Sequence, residues 1–295
     1  MKHVYHIALA VLAVSCGPRA DYDAQGAFEA TEVVVSSEAT GRILRFDVEE
    51  GASVSAGASV GAIDSLQLHL QRKQLSAQLS ALLAGRPDIR AQVASLREQI
   101  AKQWTERARV ENMLREGAST QKQFDDIQAQ IRILEGQLAA TLSTLDKNTA
   151  AIDGNAAALE AQIASLDDRI AKCRIVSPAD GTVLVKYAQA GELASVGKPL
   201  MKIADLDNVY LRAYFTSDQL AGIGLGDKVR VVADFGGDER YDYPGRIVWI
   251  ASESEFTPKT VQTKNSRANL VYAVKIAVKN DGRLKIGLAG EVILL

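Results

Sequence analysis

Apolar residues recur every three or four positions across most of residues 65–173, the period of a helix that presents one stripe to a partner. The pattern breaks at residues 116–120, a short segment that contains Gly117. Because the break is short, the chain must turn back there, which predicts a long antiparallel helical hairpin with its tip at the break. At ~1.5 Å rise per residue, an arm of roughly 50 residues is about 75 Å long. The stripe before the break contains Leu75, Leu79, Leu82, Ile89, Val93, Leu96, Ile100, Val110 and Leu114, and the stripe after it contains Phe124, Ile127, Ile131, Leu134, Leu138, Leu145, Ile152, Leu159, Ile163, Leu166, Ile170 and Cys173.

Three features interrupt the stripes. Pro87 lies inside the first arm and predicts a kink, or a helix that restarts with Pro87 in its first turn, because proline has no N–H to donate. In the second arm, Gly154 and the four-residue step from Leu159 to Ile163 predict a weakened and locally unwound segment. An ordinary bundle of long helices is the alternative to the hairpin.

Two glycine-punctuated segments flank the hairpin and repeat each other. Residues 41–64 and 174–204 both contain a glycine, a strand, a second glycine, then Gly57 or Gly197 followed by a short apolar strand that ends in isoleucine. A segment of about 25 residues is too short to bury a core alone, so the two copies are predicted to pack as facing small sheets.

The last third of the chain, residues 205–295, alternates short strand patterns with turn residues, which predicts a small β-barrel. Residues 27–40 are predicted to contain a strand that joins this barrel. Whether the first and last strands extend the barrel, or the barrel itself contacts a pump, is left open by the sequence. The predicted elements are strands over Phe28–Val35, Asn208–Phe215, Lys228–Ala233, Arg246–Ile250 and Leu270–Val278, and a capped short helix over Thr216–Leu220.

The first residues have the features of an export signal. Lys2 is followed by an apolar run that is too short to span a membrane and that ends at Cys16. The end of the run resembles a bacterial lipobox, so residues 1–16 are predicted to be a signal peptide, Cys16 to be lipidated, and residues 17–26 to be a tether. The alternative is a plain secretory signal with an incidental cysteine. If Cys16 is lipidated, Cys173 is left single and is predicted to pack in the core.

Composition excludes several classes of function. The formal net charge is −2, so no basic field favours nucleic acid. The three histidines are His3, His6 and His69, two of them in the signal, which leaves no predicted metal site. No later apolar run is long enough to cross a bilayer, and nothing in the sequence indicates a pocket with converging polar groups.

The paired half-motifs resemble the lobes of biotinyl and lipoyl carrier domains, in which a lysine in the turn after the first lobe bears the cofactor. Here the first lobe ends at Ile63–Leu66 and runs directly into the hairpin, with no lysine in that turn, so no cofactor is expected. A lipoyl-like domain split by a helical hairpin resembles the HlyD-like membrane fusion proteins, over Thr31 to Val292. The predicted fold is therefore elongated α+β, with a long antiparallel α-helical hairpin inserted into a lipoyl-like β-sandwich and followed by a small β-barrel.

This resemblance implies a periplasmic adaptor that is not an enzyme. It implies a lipid anchor, with the inner membrane favoured, an inner-membrane exporter and a TolC-like outer-membrane channel as partners, and a ring of six protomers. Two alternatives remain, a lipoyl or biotinyl carrier and a structural coiled-coil surface lipoprotein. The transported substrate is not predicted.

Adaptors that dock on such channels carry an arginine, a leucine four residues later and a serine seven residues after that at the hairpin tip. Arg109, Met113 and Thr120 occupy these places, and the resemblance implies that they contact the channel together with Leu114 and Gly117. The exporter class rests on a second likeness, which favours ABC-type exporters. The segments that carry it are Phe256–Thr263, Arg267, Leu270–Tyr272 and Asn280–Leu288.

Overall fold

The computed structural model describes residues 22–236, 239–256 and 270–295. The predicted signal peptide, Cys16 and the first half of the predicted tether lie outside the described residues, as do most of Phe256–Thr263 and Arg267. The helices are α1 (Leu66–Ala84), α2 (Ile89–Arg115), α3 (Gln121–Lys172) and α4 (Ser217–Leu220). The strands are β1 (Ala24–Ser36), β2 (Gly41–Phe46), β3 (Ser53–Val54), β4 (Ser59–Ile63), β5 (Arg174–Val176), β6 (Gly181–Lys186), β7 (Leu193–Ala194), β8 (Pro199–Thr216), β9 (Lys228–Asp234), β10 (Arg240–Ile250), β11 (Glu255–Phe256), β12 (Leu270–Lys279) and β13 (Ala289–Leu294).

The predicted fold class is confirmed, because the chain forms an elongated α+β structure with a helical hairpin inserted into a β-body. The hairpin consists of three helices, since α1 and α2 follow one another along the single long helix α3. At ~1.5 Å per residue, α3 is roughly 78 Å long. It is continuous from Gln121 to Lys172, so neither Gly154 nor the step at Leu159 ends the helix.

The first arm is broken at residues 85–88, where the sequence predicts a kink or a restart. Asp88 is the N-cap of α2, and its carboxylate accepts a hydrogen bond from the Ala91 amide at 3.0 Å. The prediction that Pro87 lies in the first helical turn is wrong, because Pro87 precedes the cap. Asp88 is the better helix start, since its side chain satisfies an amide that proline at that position would leave unpaired. Just before the break, Arg86 forms an ion pair with Asp153 of α3.

The seam of the hairpin buries the apolar stripes that the periodicity predicts. Its buried members come from both arms, and most of the remaining stripe residues are half-buried, as expected for a two-stranded structure with one packed face. The buried side chains are Val93 and Val110 of α2 and Ile131, Leu134, Leu145, Ala156 and Leu166 of α3.

The β-body at the base of the hairpin is a sandwich of two small sheets. One sheet has the order β5-β4-β2-β7, and the other joins the ends of β1 and β8 to β6 and β3. Each repeat is hydrogen-bonded to the other. The Gly51 amide of the first repeat donates to the Val183 carbonyl of the second at 2.8 Å, and the Gly191 amide of the second donates to the Ile43 carbonyl of the first at 2.7 Å. This sandwich of the two repeats is called the two-lobe body. Its buried core consists of Val35, Ile43, Phe46, Val48, Val60, Ile63, Cys173, Ile175, Val183, Ala188, Ala194, Leu200, Met201 and Ile203.

Six strands close into an antiparallel barrel beside the two-lobe body. Their order is β12-β10-β9-β13-β1-β8, and a further pairing of β8 with β12 closes the ring. The first and last strands, β1 and β13, are therefore neighbours in the barrel wall. The long strands β1 and β8 continue from the barrel into the two-lobe body, with a register shift between Ala30 and Glu32, which joins the two bodies through paired backbone.

One barrel strand is longer than the sequence predicts. Pro244 and Gly245 indicate a turn before Arg246, but β10 runs through them from Arg240 to Ile250. Pro244 is accommodated because pairing of β10 with β12 starts only at Gly245, so no ladder bond to β12 requires an amide from the proline. Gly245 is required by packing, since a Cβ there would lie 2.6 Å from Ile276 Cγ2.

Within residues 22–236, 239–256 and 270–295, no helix combines the length and the apolar character that crossing a membrane requires. The same residues contain no cluster of histidine, cysteine or acidic side chains able to hold a metal ion.

Candidate docking tip of the hairpin

The turn at the tip is determined by a glycine. α2 ends at Arg115, and Gly117 adopts a φ of 73°, the left-handed region that favours glycine. The Gly117 amide donates to Leu114 O at 3.1 Å, and the Ala118 amide donates to Met113 O at 2.8 Å. These are the two bonds of a Schellman motif, which satisfies the last carbonyls of the helix and reverses the chain.

Thr120 begins the second arm as the N-cap of α3. Its hydroxyl accepts from the Gln123 amide at 3.4 Å, and the Gln123 side-chain oxygen accepts from the Thr120 amide at 3.1 Å. This reciprocal pair is a capping box, and Ser119 Oγ adds a third bond to the same Gln123 oxygen at 2.7 Å. The residue that the family likeness assigns to channel contact therefore also holds the start of the helix.

The other predicted docking residues lie on the last two turns of α2. Arg109 is 68% exposed and donates through Nη2 to Glu106 Oε1 at 2.7 Å. Met113, one turn later, is 36% exposed, whereas Leu114 is half-buried. The structure thus brings Arg109 and Met113 together on one outward surface, separates Leu114 from them, and places Thr120 across the turn. Their contact with a channel stays a prediction.

A cluster just below the tip was missed by the sequence analysis. The guanidinium carbon of Arg107 lies 4.9 Å from the centre of the Trp104 ring and 5.4 Å from that of Phe124, so one cation bridges the two arms through two aromatic rings. Arg107 occupies a polar position inside the apolar stripe of α2, which is the signal that could have identified it. Its Nε is buried and has no acceptor within the described part of the chain.

The base of the hairpin holds the single thiol of the described residues. Cys173 is the C-cap of α3 and packs in the core of the two-lobe body. Burial raises the pKa of this thiol above its usual value, which disfavours the nucleophilic thiolate. The geometry therefore indicates packing and offers no activation for nucleophilic chemistry.

No family model matches the sequence. A relative from Yersinia pseudotuberculosis, described as a UPF0194 membrane protein, is 28% identical over 276 residues, which span 84% of this chain and 81% of the relative.

Two solved structures share the fold. MacA from Actinobacillus actinomycetemcomitans matches 91% of this chain and 76% of its own, with a TM-score of 0.53 and 18% identity. The membrane fusion protein Spr0693 from Streptococcus pneumoniae matches 92% of this chain and 97% of its own, with a TM-score of 0.52 and 16% identity. The predicted resemblance to membrane fusion proteins is therefore confirmed at the level of the fold.

Proposed function

We propose that this chain, which shares its fold with a membrane fusion protein, is a periplasmic adaptor of the HlyD-like type. It links an inner-membrane exporter to a TolC-like outer-membrane channel and carries out no chemistry of its own. The observation that carries the proposal is the shape of the molecule. A hairpin with one arm of roughly 78 Å projects from a small β-body, and such a shape suits bridging better than enclosing a substrate.

A single hairpin encloses nothing, so the proposal requires several protomers in a closed ring. Six is the number that the family likeness implies. In this arrangement the two-lobe bodies pack side by side, the hairpins form a tube, and the barrels lie near the exporter. The lipid on Cys16 would hold the ring at the inner membrane.

The proposal assigns channel contact to the hairpin tip. Arg109 presents a guanidinium that can bridge several carbonyl or carboxylate acceptors on a facing helical tip. Met113 offers a flexible apolar side chain that fits an irregular groove, and the turn at Gly117 has no side chain that would keep a partner away. Leu114 and Thr120 support the turn that presents these groups to the channel. Leu114 does so by packing in the seam between the arms, and Thr120 does so as the N-cap of α3.

An export assay with charge reversal at the tip tests this assignment. Arg109→Asp in a strain that carries no other copy should lower resistance to exported compounds to the level of the deletion strain, at normal protein abundance. Arg97→Asp is the matched control, because Arg97 is also exposed on α2 but lies three turns closer to the base. Normal export by Arg109→Asp would remove the tip assignment, and normal resistance in the deletion strain to every compound and secreted product tried would remove the adaptor function.

The inner-membrane partner is proposed to be an ABC-type exporter. The likeness of the barrel segments to adaptors of ABC-type exporters supports an ATP-driven partner, and Leu270–Tyr272 lies at the start of β12 in the barrel wall. Chemical cross-linking in intact cells, followed by mass spectrometry of what co-purifies, distinguishes an ABC exporter from a proton-driven pump. Recovery of a proton-driven pump would support the adaptor function but contradict the assignment to an ABC-type exporter.

A further inference from the structure

A groove of about 500 Å³ lies on the outer wall of the barrel, across β9, β10 and β12. This is within the range of small-molecule binding sites. The groove exists because Pro244 and Ala277 have short side chains, whereas their neighbours on the same wall are long. None of the tip residues and none of the residues of the two-lobe body lines it.

The rim of the groove is basic although the whole chain is slightly acidic. Lys228, Arg230 and Arg246 line it together with one acidic side chain, Asp242, which lies 3.6 Å from Arg230. Arg246 donates through Nη1 to the Gly226 carbonyl at 3.0 Å, which fixes the direction of its guanidinium. Three basic side chains against one acid favour an anionic ligand.

The floor and one edge of the groove are apolar. Pro244 and Ala277 form the floor, and Leu295, which is 86% exposed, stands at the edge. The aliphatic stems of the lysine and arginine side chains extend this apolar surface below their charges. The one aromatic residue in the lining, Tyr243, is buried in the barrel core, so no ring is available on which a nucleotide base could stack.

A basic rim above an apolar floor suits a molecule with an anionic head and a hydrocarbon tail. We propose that this groove binds an anionic phospholipid at the membrane surface, with the phosphate between Lys228 and Arg246 and the first acyl carbons along Pro244 and Ala277. The groove is open along its length and is too small to enclose two acyl chains, so the lipid remains in the bilayer while its head is bound. The barrel would thereby be oriented on the membrane, independently of the hairpin tip.

Titration of the purified full-length chain with soluble short-chain lipids tests the proposal. Dihexanoyl phosphatidylglycerol, kept below its micelle concentration, should bind at least tenfold more tightly than the zwitterionic dihexanoyl phosphatidylcholine. Lys228→Ala and Arg246→Ala should each weaken binding about fivefold, the effect expected for one basic residue at a lipid surface. Lys279→Ala is the matched control, because Lys279 lies on β12 but outside the groove, and it should change nothing.

A substitution that fills the groove separates it from general charge attraction. Ala277→Trp lies on the outer wall, retains all the basic side chains, and should abolish binding without changing the circular dichroism of the fold. Equal binding of the two lipids, or full binding by Ala277→Trp, would overturn the proposal. Decanoate is the third probe, and if it bound as tightly as the phosphatidylglycerol, the ligand would be a free fatty acid and the assignment to phospholipid would be wrong.

Discussion

Ser37 and Ser177 each lie four residues before a matching glycine of the two repeats, Gly41 and Gly181, and make the same bonds. Each hydroxyl donates to the carbonyl two residues on, at 2.6 Å to Ala39 and 2.7 Å to Ala179. Both serines are buried, and the carbonyl of each accepts from a glycine amide of the opposite repeat. The two-lobe body is thus held by a symmetric pair of buried polar turns.

Ser177→Ala is expected to loosen this body. The substitution removes the bond to Ala179 and leaves that carbonyl without its donor, which costs about 1–2 kcal/mol. Hydrogen exchange should report the loss at the Gly57 amide, which donates to the Ser177 carbonyl at 2.7 Å. Ser55→Ala, at an exposed serine, should leave exchange unchanged, and equal protection in both variants would contradict the role of the buried hydroxyl.

Glycine substitutions should have opposite effects at two positions. Gly154 lies within α3, and a Cβ there would meet nothing within 4 Å, so Gly154→Ala should stabilise the helix by about 1 kcal/mol. At Gly26 a Cβ would lie 1.9 Å from the Arg212 carbonyl oxygen, so Gly26→Ala should force β1 and β8 apart. Thermal unfolding followed at 222 nm measures both, and a stabilising Gly26→Ala would show that the register of β1 on β8 is wrong.

Thr120 serves as a helix cap and is also a proposed docking residue, and two substitutions separate these roles. Thr120→Ala should cost about 1 kcal/mol of helix stability, because the Gln123 amide loses the Thr120 hydroxyl as an acceptor and retains only the Thr120 carbonyl. Thr120→Asp retains an N-cap acceptor but places a charge at the turn. Export that fails only in Thr120→Ala would assign Thr120 to the cap alone, whereas failure in Thr120→Asp at normal helix content supports contact with the channel.

Arg107 should be replaceable by an apolar side chain without loss of hairpin stability. Its two aromatic contacts contribute about 0.5–2 kcal/mol, but its buried Nε lacks an acceptor at a comparable cost. Arg107→Met fills the space without an unpaired donor, so its melting temperature should equal or exceed that of the parent. Phe124→Ala, which removes the ring from the second arm, should lower it. A large loss in Arg107→Met would mean that the cation itself locks the register of the arms.

Long-range periodicity allowed the hairpin to be predicted well, because one face of each helix is apolar over many turns. The turn at Gly117 was equally predictable from the sequence, because few residues other than glycine adopt the required positive φ. The small β-barrel was predicted from its short strands, but the order in which its strands pair was not, because β8 pairs with both β1 and β12 and short strand patterns carry no information about partners.

The least predictable features are those in which tertiary contacts override the local preference of a residue. Pro244 indicated a turn, yet it lies in a strand because β12, on one side of β10, is not paired there, while β9 pairs on the other side. Arg107 looked like a flaw in a stripe, yet it contacts two rings that only the folded hairpin brings together. Trp104 lies three residues before Arg107 on the same helix, so only the contact of Arg107 with Phe124 depends on how the two arms pair.

Site-specific photo-cross-linking from the tip tests the adaptor function most directly. A photoreactive residue at Ala118, which is exposed in the turn, should capture an outer-membrane channel protein in intact cells, and the same probe at Lys147, exposed midway along α3, should not. The account predicts that Arg109→Asp abolishes the Ala118 product at unchanged protein abundance. Products from Ala118 that contain only other copies of this chain, or proteins that are not outer-membrane channels, would contradict it.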